Sequence, residues 1–130
     1  MPKHAQRTIL VVDDDHDFVA FLKAILEGAG HFVATAFDGE EALRYVERTP
    51  PDLVTLDINM PRKSGVLFYR QLKEDPRRRS IPVIVITGMS LMDDYFKRRF
   101  PSAPERVFDK PITKESLIAA VDEILANRKG

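Results

Sequence analysis

Residues able to do chemistry stand where the apolar runs of this chain stop. "TILVV" (8–12) leads into Asp13, Asp14 and Asp15, and "DLVTL" (52–56) into Asp57. "PVIVIT" (82–87) closes on Thr87 before Gly88, and "RVFD" (106–109) leads into Lys110 and Pro111. A buried strand that ends on a carboxylate incurs a desolvation cost unless something pairs with the charge. Asp57 therefore either caps the helix that follows or belongs to a site built from several strand ends. Two carboxylates ~4 Å apart repel by on the order of 4 kcal/mol at an effective dielectric of ~20. Three at one crevice need a cation, raised pKa values, or both. All-oxygen ligation suits Mg²⁺, which takes one or two carboxylates, keeps several waters and accepts phosphate oxygens. A lysine beside them supplies a mobile point charge for a phosphoryl group, and a threonine hydroxyl can donate to one of its oxygens. The chemistry this set suggests is phosphoryl transfer to an aspartate.

The elements that must position these groups are legible in outline. Five β-like runs, the four above and "FVATA" (32–36), alternate with five helix-like ones. Nearly continuous apolar runs fit strands of a parallel sheet covered on both faces. Phe18, Phe21, Leu22, Ile25 and Leu26 recur at helical spacing until Gly28 and Gly30. Ala42, Leu43 and Val46 follow Asp38-Gly39, and Val66, Leu67, Tyr69 and Leu72 lie between Ser64-Gly65 and Pro76. Leu117, Ile118, Val121, Ile124 and Leu125 follow Thr113, a fitting N-cap. The least regular stretch, 88–105, offers Leu91, Met92, Tyr95, Phe96 and Phe100 as one helical face before Pro101 and Pro104.

This βα alternation predicts an α/β fold: a doubly wound, five-stranded parallel sheet with right-handed crossovers and five helices in three layers. Ligands of such sheets sit outside the carboxyl ends of the strands. The second strand ends in Ala36-Phe37, with Asp38 placed to cap a helix, and offers little chemistry. That puts it at an edge and gives the strand order 2-1-3-4-5. One domain over 1–130, with a core of about 7–128, is expected.

Bulk properties narrow the function classes. Lys plus Arg equals Asp plus Glu at 20 each, so no global field favours nucleic acid or an anionic membrane. There is no Cys, which excludes disulfides and thiolate metal sites. The start "MPKHAQRT" has no apolar signal-type region, and no run approaches the ~18 apolar residues of a membrane span. A soluble, cytoplasmic protein is expected. His4, His16 and His31 lack metal-ligand spacing and read as surface residues. "RRR" (77–79) and "KRR" (97–99), without interleaved stacking aromatics, read as solvated faces rather than a nucleic-acid patch. No Gly-rich phosphate loop is present.

"ILVVDDD", "LVTLDINMP", "VIVITG" and "FDKP" together resemble the receiver domain of two-component response regulators, in order and over essentially the whole chain. The resemblance implies a flavodoxin-like fold and a signalling module controlled by phosphorylation. It implies that Asp57 takes a phosphoryl group from the phosphohistidine of a sensor histidine kinase or histidine phosphotransfer protein. It assigns Mg²⁺ to Asp13, Asp14, Asp57 and the backbone carbonyl of Asn59, with Asp13 acting through a metal-bound water. Thr87 and Lys110 would contact phosphoryl oxygens, and the Lys110-Pro111 bond would be cis. Beyond its own phosphorylation and dephosphorylation, no enzymatic turnover is implied.

Two other readings compete. A haloacid-dehalogenase-type phosphatase also uses an aspartyl phosphate and Mg²⁺, and Asp13-x-Asp15 mimics its nucleophile motif. It leaves Asp57 and Asn59 unexplained. A receiver-like fold used only for docking would not need the full charged set. The departures from the family concern output. Val107 stands where an aromatic switch is usual, and Lys63 where an apolar residue is common. The expected response to phosphorylation and the contact with a downstream protein target therefore fall on residues 88–107. No output domain follows, so the chain is read as a stand-alone regulator or as a receiver from a longer protein.

Overall fold

The computed structural model describes residues 7–88 and 103–127. Five parallel strands, β1 (Thr8–Val12), β2 (Phe32–Ala36), β3 (Leu53–Leu56), β4 (Val83–Thr87) and β5 (Arg106–Asp109), form one sheet in the order β2-β1-β3-β4-β5. This is the order inferred from the chemically poor end of β2. Four α-helices lie among the described residues: α1 (His16–Gly28), α2 (Gly39–Arg48), α3 (Ser64–Glu74) and α4 (Lys114–Ala126). The fifth helical run expected in 88–105 falls mostly on residues 89–102, outside the described residues.

Strand side chains alternate faces, and the sheet divides the core accordingly. Leu10, Val12, Val54, Leu56, Val83 and Val85 pack with Ala42 and Val46 of α2 and Phe68, Tyr69 and Leu72 of α3. Ile9, Val11, Leu53, Ile84 and Ile86 pack with Val19, Leu22, Ile25 and Leu26 of α1 and Leu117, Ala120, Val121 and Leu125 of α4. Val107 joins the first cluster and Phe108 the second, both half-buried. β5 is an edge strand, and the guanidinium of Arg106 lies 5.1 Å from the Phe108 ring centroid.

The helix starts are set by side-chain caps. The Asp15 carboxylate accepts hydrogen bonds from the Asp17 and Phe18 amides and begins α1. Asp38 accepts from the Glu41 amide while Glu41 accepts from the Phe37 amide, a reciprocal arrangement that starts α2. Thr113 caps α4 through the Ser116 amide. At the other end of α1, the helix runs through Gly28. Gly30 takes the left-handed conformation, φ 98°, that ends it.

Packing between α2 and α3 is close enough to require glycine. A Cβ on Gly39 would sit 2.0 Å from the Ser64 carbonyl oxygen, and one on Gly65 would sit 2.5 Å from the Asp57 carbonyl oxygen. The Gly39 amide donates to the Ser64 hydroxyl. The start of α3 is thus pressed against the backbone that leaves β3, which fixes how that segment exits the sheet.

Candidate functional site

The carboxyl ends of β1, β3, β4 and β5 converge. Hydrogen bonds from the Asp57 amide to the Val12 carbonyl, 3.0 Å, and from the Asp13 amide to the Ala36 carbonyl, 3.1 Å, carry the sheet pattern one step past the strands. Asp13 and Asp57 are therefore held as rigidly as strand residues, and both are buried, 1% and 5% exposed. Asp14 is exposed beside them. Carboxylate oxygens of Asp13, Asp14 and Asp57 all lie within 4.8 Å of one another. The Lys110 amide donates to the Thr87 carbonyl, 2.9 Å, which joins the end of β4 to the residue after β5. The bond between Lys110 and Pro111 is cis.

Asp13 and Asp57 each have one carboxylate oxygen anchored and the other turned to the lysine. The Asp15 amide donates to Asp13 Oδ1 and the Asn59 amide to Asp57 Oδ1, both at 2.9 Å. Lys110 Nζ stands 2.9 Å from Asp13 Oδ2 and 3.2 Å from Asp57 Oδ2. Thr87 is fully buried, and its hydroxyl has no hydrogen-bond partner among the described residues. A donor left unsatisfied in that position costs free energy and is suited to an oxyanion ligand at the crevice.

The family of sequences known as the response regulator receiver domain matches residues 9–122. The chain belongs to this family. The receiver is 34% identical over 132 residues to the alkaline phosphatase synthesis transcriptional regulatory protein PhoP of Bacillus subtilis, covering 93% of this chain and 54% of PhoP. It is 35% identical over 121 residues to protein Rrf1 of Nitratidesulfovibrio vulgaris, covering 91% of this chain and 82% of Rrf1. Among solved structures, it resembles the receiver domain of a signal transduction histidine kinase from Syntrophus aciditrophicus. That match has a TM-score of 0.83, 32% identity and 95% coverage of each chain. The chain spans about half the length, 54%, of PhoP.

The receiver is a phosphorylation-controlled module of two-component signalling. The family is a signalling rather than an enzymatic one, and the haloacid-dehalogenase reading is not favoured. Receiver domains bind Mg²⁺ at an acidic pocket, and Asp13, Asp14 and Asp57 form such a cluster here. No helix among the described residues is long and apolar enough to cross a membrane.

Electrostatics of the receiver's crevice follow from burial and pairing. Burial pushes the Asp13 carboxyl above the ordinary carboxylate value, although the Asp15 amide and Lys110 pull it back and Asp57 adds to the rise. Burial alone would lower Lys110, but its hydrogen bond to Asp13 and the charges of Asp57 and Asp13 hold it above its usual value. The ammonium is thus retained by the two acids.

The acids read as metal ligands, together with Thr87 and Lys110, are brought to one crevice, whereas Asp15 caps α1 and Asp17 lies in its first turn. Asn59 is exposed, with its amide on Asp57. Three features escaped the sequence reading. Phe18, read as a member of the α1 apolar face, holds its ring 4.5 Å from Lys110 Nζ. His16, read as plain surface, stacks on Phe37 with centroids 3.9 Å apart, beside the end of β2 that was thought to offer little. Lys73 is buried, its ammonium donating to the Ile81 and Arg79 carbonyls at 2.8 and 3.1 Å. Of the response region 88–107, residues 89–102 lie outside the described residues.

Proposed function

We propose that Asp57 accepts a phosphoryl group from the phosphohistidine of a sensor histidine kinase or histidine phosphotransfer protein. Asp13, Asp14, Asp57 and the Asn59 carbonyl would hold Mg²⁺. The observation that carries this reading is the gathering of three carboxylates within 4.8 Å of one another, two of which, Asp13 and Asp57, are paired with the Lys110 ammonium. When bound, Mg²⁺ would relieve repulsion among the acids and draw charge from the phosphoryl oxygens. The Asn59 amide fixes Asp57 Oδ1 and leaves Oδ2 as the oxygen turned to Lys110. In the transfer, a carboxylate oxygen of Asp57 bonds to phosphorus while the P–N bond of the donor breaks, and its electron pair stays on the imidazole. Lys110 then offsets the charge on the transferred group, and the Thr87 hydroxyl, unpaired among the described residues, donates to one of its oxygens. Water attacking phosphorus returns Asp57 to the free acid and releases phosphate. No other turnover belongs to the reading.

The receiver unit is taken to cover 1–130 with a core of about 7–128, and the match over 9–122 supports this. The output is contact with a downstream protein target through 88–107, in the cytoplasm and without direct binding of nucleic acid. The test is intact mass after treatment with a small phosphodonor. Mass should rise by one phosphate with Mg²⁺ and not with EDTA, and Asp57→Asn should take no label. Unchanged labelling of Asp57→Asn overturns the acceptor assignment.

A further inference from the structure

We propose that Phe18 is a positioning residue for Lys110, its ring face holding the ammonium beside Asp57 by a cation–π contact. This rests on the reading of Asp57 and Lys110 given above. Lys110 Nζ lies 4.5 Å from the Phe18 centroid, inside the ~6 Å range in which a ring face attracts a cation. The same nitrogen stands 2.9 Å from Asp13 Oδ2 and 3.2 Å from Asp57 Oδ2. A lysine ammonium is a point charge on a flexible stem, and two carboxylates alone leave it free to swing about the line between them. The ring closes the third side.

Its placement is tied to the crevice through the backbone. Asp13 Oδ1 accepts from the Asp15 amide at 2.9 Å, and Asp15 Oδ1 accepts from the Phe18 amide at 3.2 Å. Asp13, Asp15, Phe18 and Lys110 therefore form a closed circuit. Phe18 is half-buried, so the contact is partly shielded from water. An uncharged ring also suits the position because it neither binds Mg²⁺ nor competes with Asp57 for the phosphoryl group.

Fluorination removes the negative face of the ring while keeping its shape, which separates cation–π attraction from packing. The full chain is prepared with phenylalanine, trifluorophenylalanine or pentafluorophenylalanine inserted at position 18, alongside Phe18→Leu, Phe18→Tyr and Asp57→Asn. At saturating small phosphodonor and Mg²⁺, the labelling rate should fall by about two- to fivefold along the fluorinated series. Phe18→Leu should match the pentafluoro chain, Phe18→Tyr should keep the parent rate, and the Mg²⁺ midpoint should not move along the fluorinated series. In the resting chain, the ε-methylene protons of Lys110 should lie upfield in the parent and in Phe18→Tyr, and at ordinary positions in Phe18→Leu. Equal rates across the series, or no upfield shift in the parent, overturn the proposal. If Asp57→Asn labels like the parent, or the parent takes no label, it is the Asp57 reading that fails. The resting shift then decides by itself whether Phe18 holds the ammonium.

Discussion

Asp13 is almost wholly buried a few ångströms from a second carboxylate, and the fold tolerates it because Lys110 and the Asp15 amide share its charge. Its pKa in the folded chain is still raised, mainly by burial. The folded state therefore binds the Asp13 proton more readily than the unfolded chain, and ionised Asp13 costs stability above the folded pKa. That cost disappears as pH falls through the raised value towards 3.8. In EDTA at neutral pH, Asp13→Asn should melt higher than the parent, and the gain should shrink as the buffer is acidified through that window. Thermal scans across pH check this; a gain that grows on acidification contradicts the sign. Mg²⁺ should act on the same repulsion, contributing about 1.4 kcal/mol at ten times Kd, or roughly a few degrees for a domain of this size. Asp14→Ala should abolish that response, and a mutant that gains as much as the parent places the metal elsewhere. Asp13, Asp57, Thr87 and Lys110 were legible because an ionisable or hydroxyl group at the end of an apolar run is conspicuous. Phe18 was not: its spacing with Leu22 and Ile25 reads as core, and its cationic partner is brought near only by folding.

α2 meets α3, and α3 meets the segment that leaves β3, through contacts that depend on glycine. A methyl on Gly39 would meet backbone of Ser64, and one on Gly65 would meet backbone of Asp57 and Ile58, neither of which can rotate aside. Each alanine substitution should cost about 1–3 kcal/mol by overpacking, and Gly65→Ala should also slow phosphorylation, since the loop it displaces carries Asp57. Gly28→Ala is the contrast. It ends α1 with nothing among the described residues within 4 Å of the added carbon and no left-handed backbone. It should stabilise by up to about 0.5–1 kcal/mol. Urea titration of the three variants checks the order; equal losses would show that crowding is not what selects glycine at 39 and 65. Periodicity and caps made the helices visible in the sequence, while the need for Gly39 and Gly65 stayed hidden because it arises between elements. Lys73 stayed hidden for the same reason, since its carbonyl partners lie on the turn before β4.

At the scale of the whole sheet, a phosphorylation signal is predicted to leave the crevice by the β4–β5 side. β2 and β1 end in groups tied to helix caps, whereas β4 ends in Thr87 and β5 leads into Lys110, and the backbones of these two residues are hydrogen-bonded to each other at 2.9 Å. A phosphoryl group on Asp57 that draws the Thr87 hydroxyl would pull on β4 and, through the Lys110 amide, on the end of β5. Val85 faces Val107 across that pair, and both pack against the α2–α3 side of the core. Val107 has no ring to swing between two positions, so displacement must be carried by backbone and neighbouring side chains rather than by a rotamer change at 107. Amide spectra with and without beryllofluoride should therefore show the largest shifts beyond the acidic loops in 85–88 and 103–109, continuing through 88–107. The lower half of β2, around Phe32 and Val33 at the far edge of the sheet, should remain still. Shifts confined to the residues around Asp14, Asp57 and Lys110, or spread equally into β2, would rule out this route.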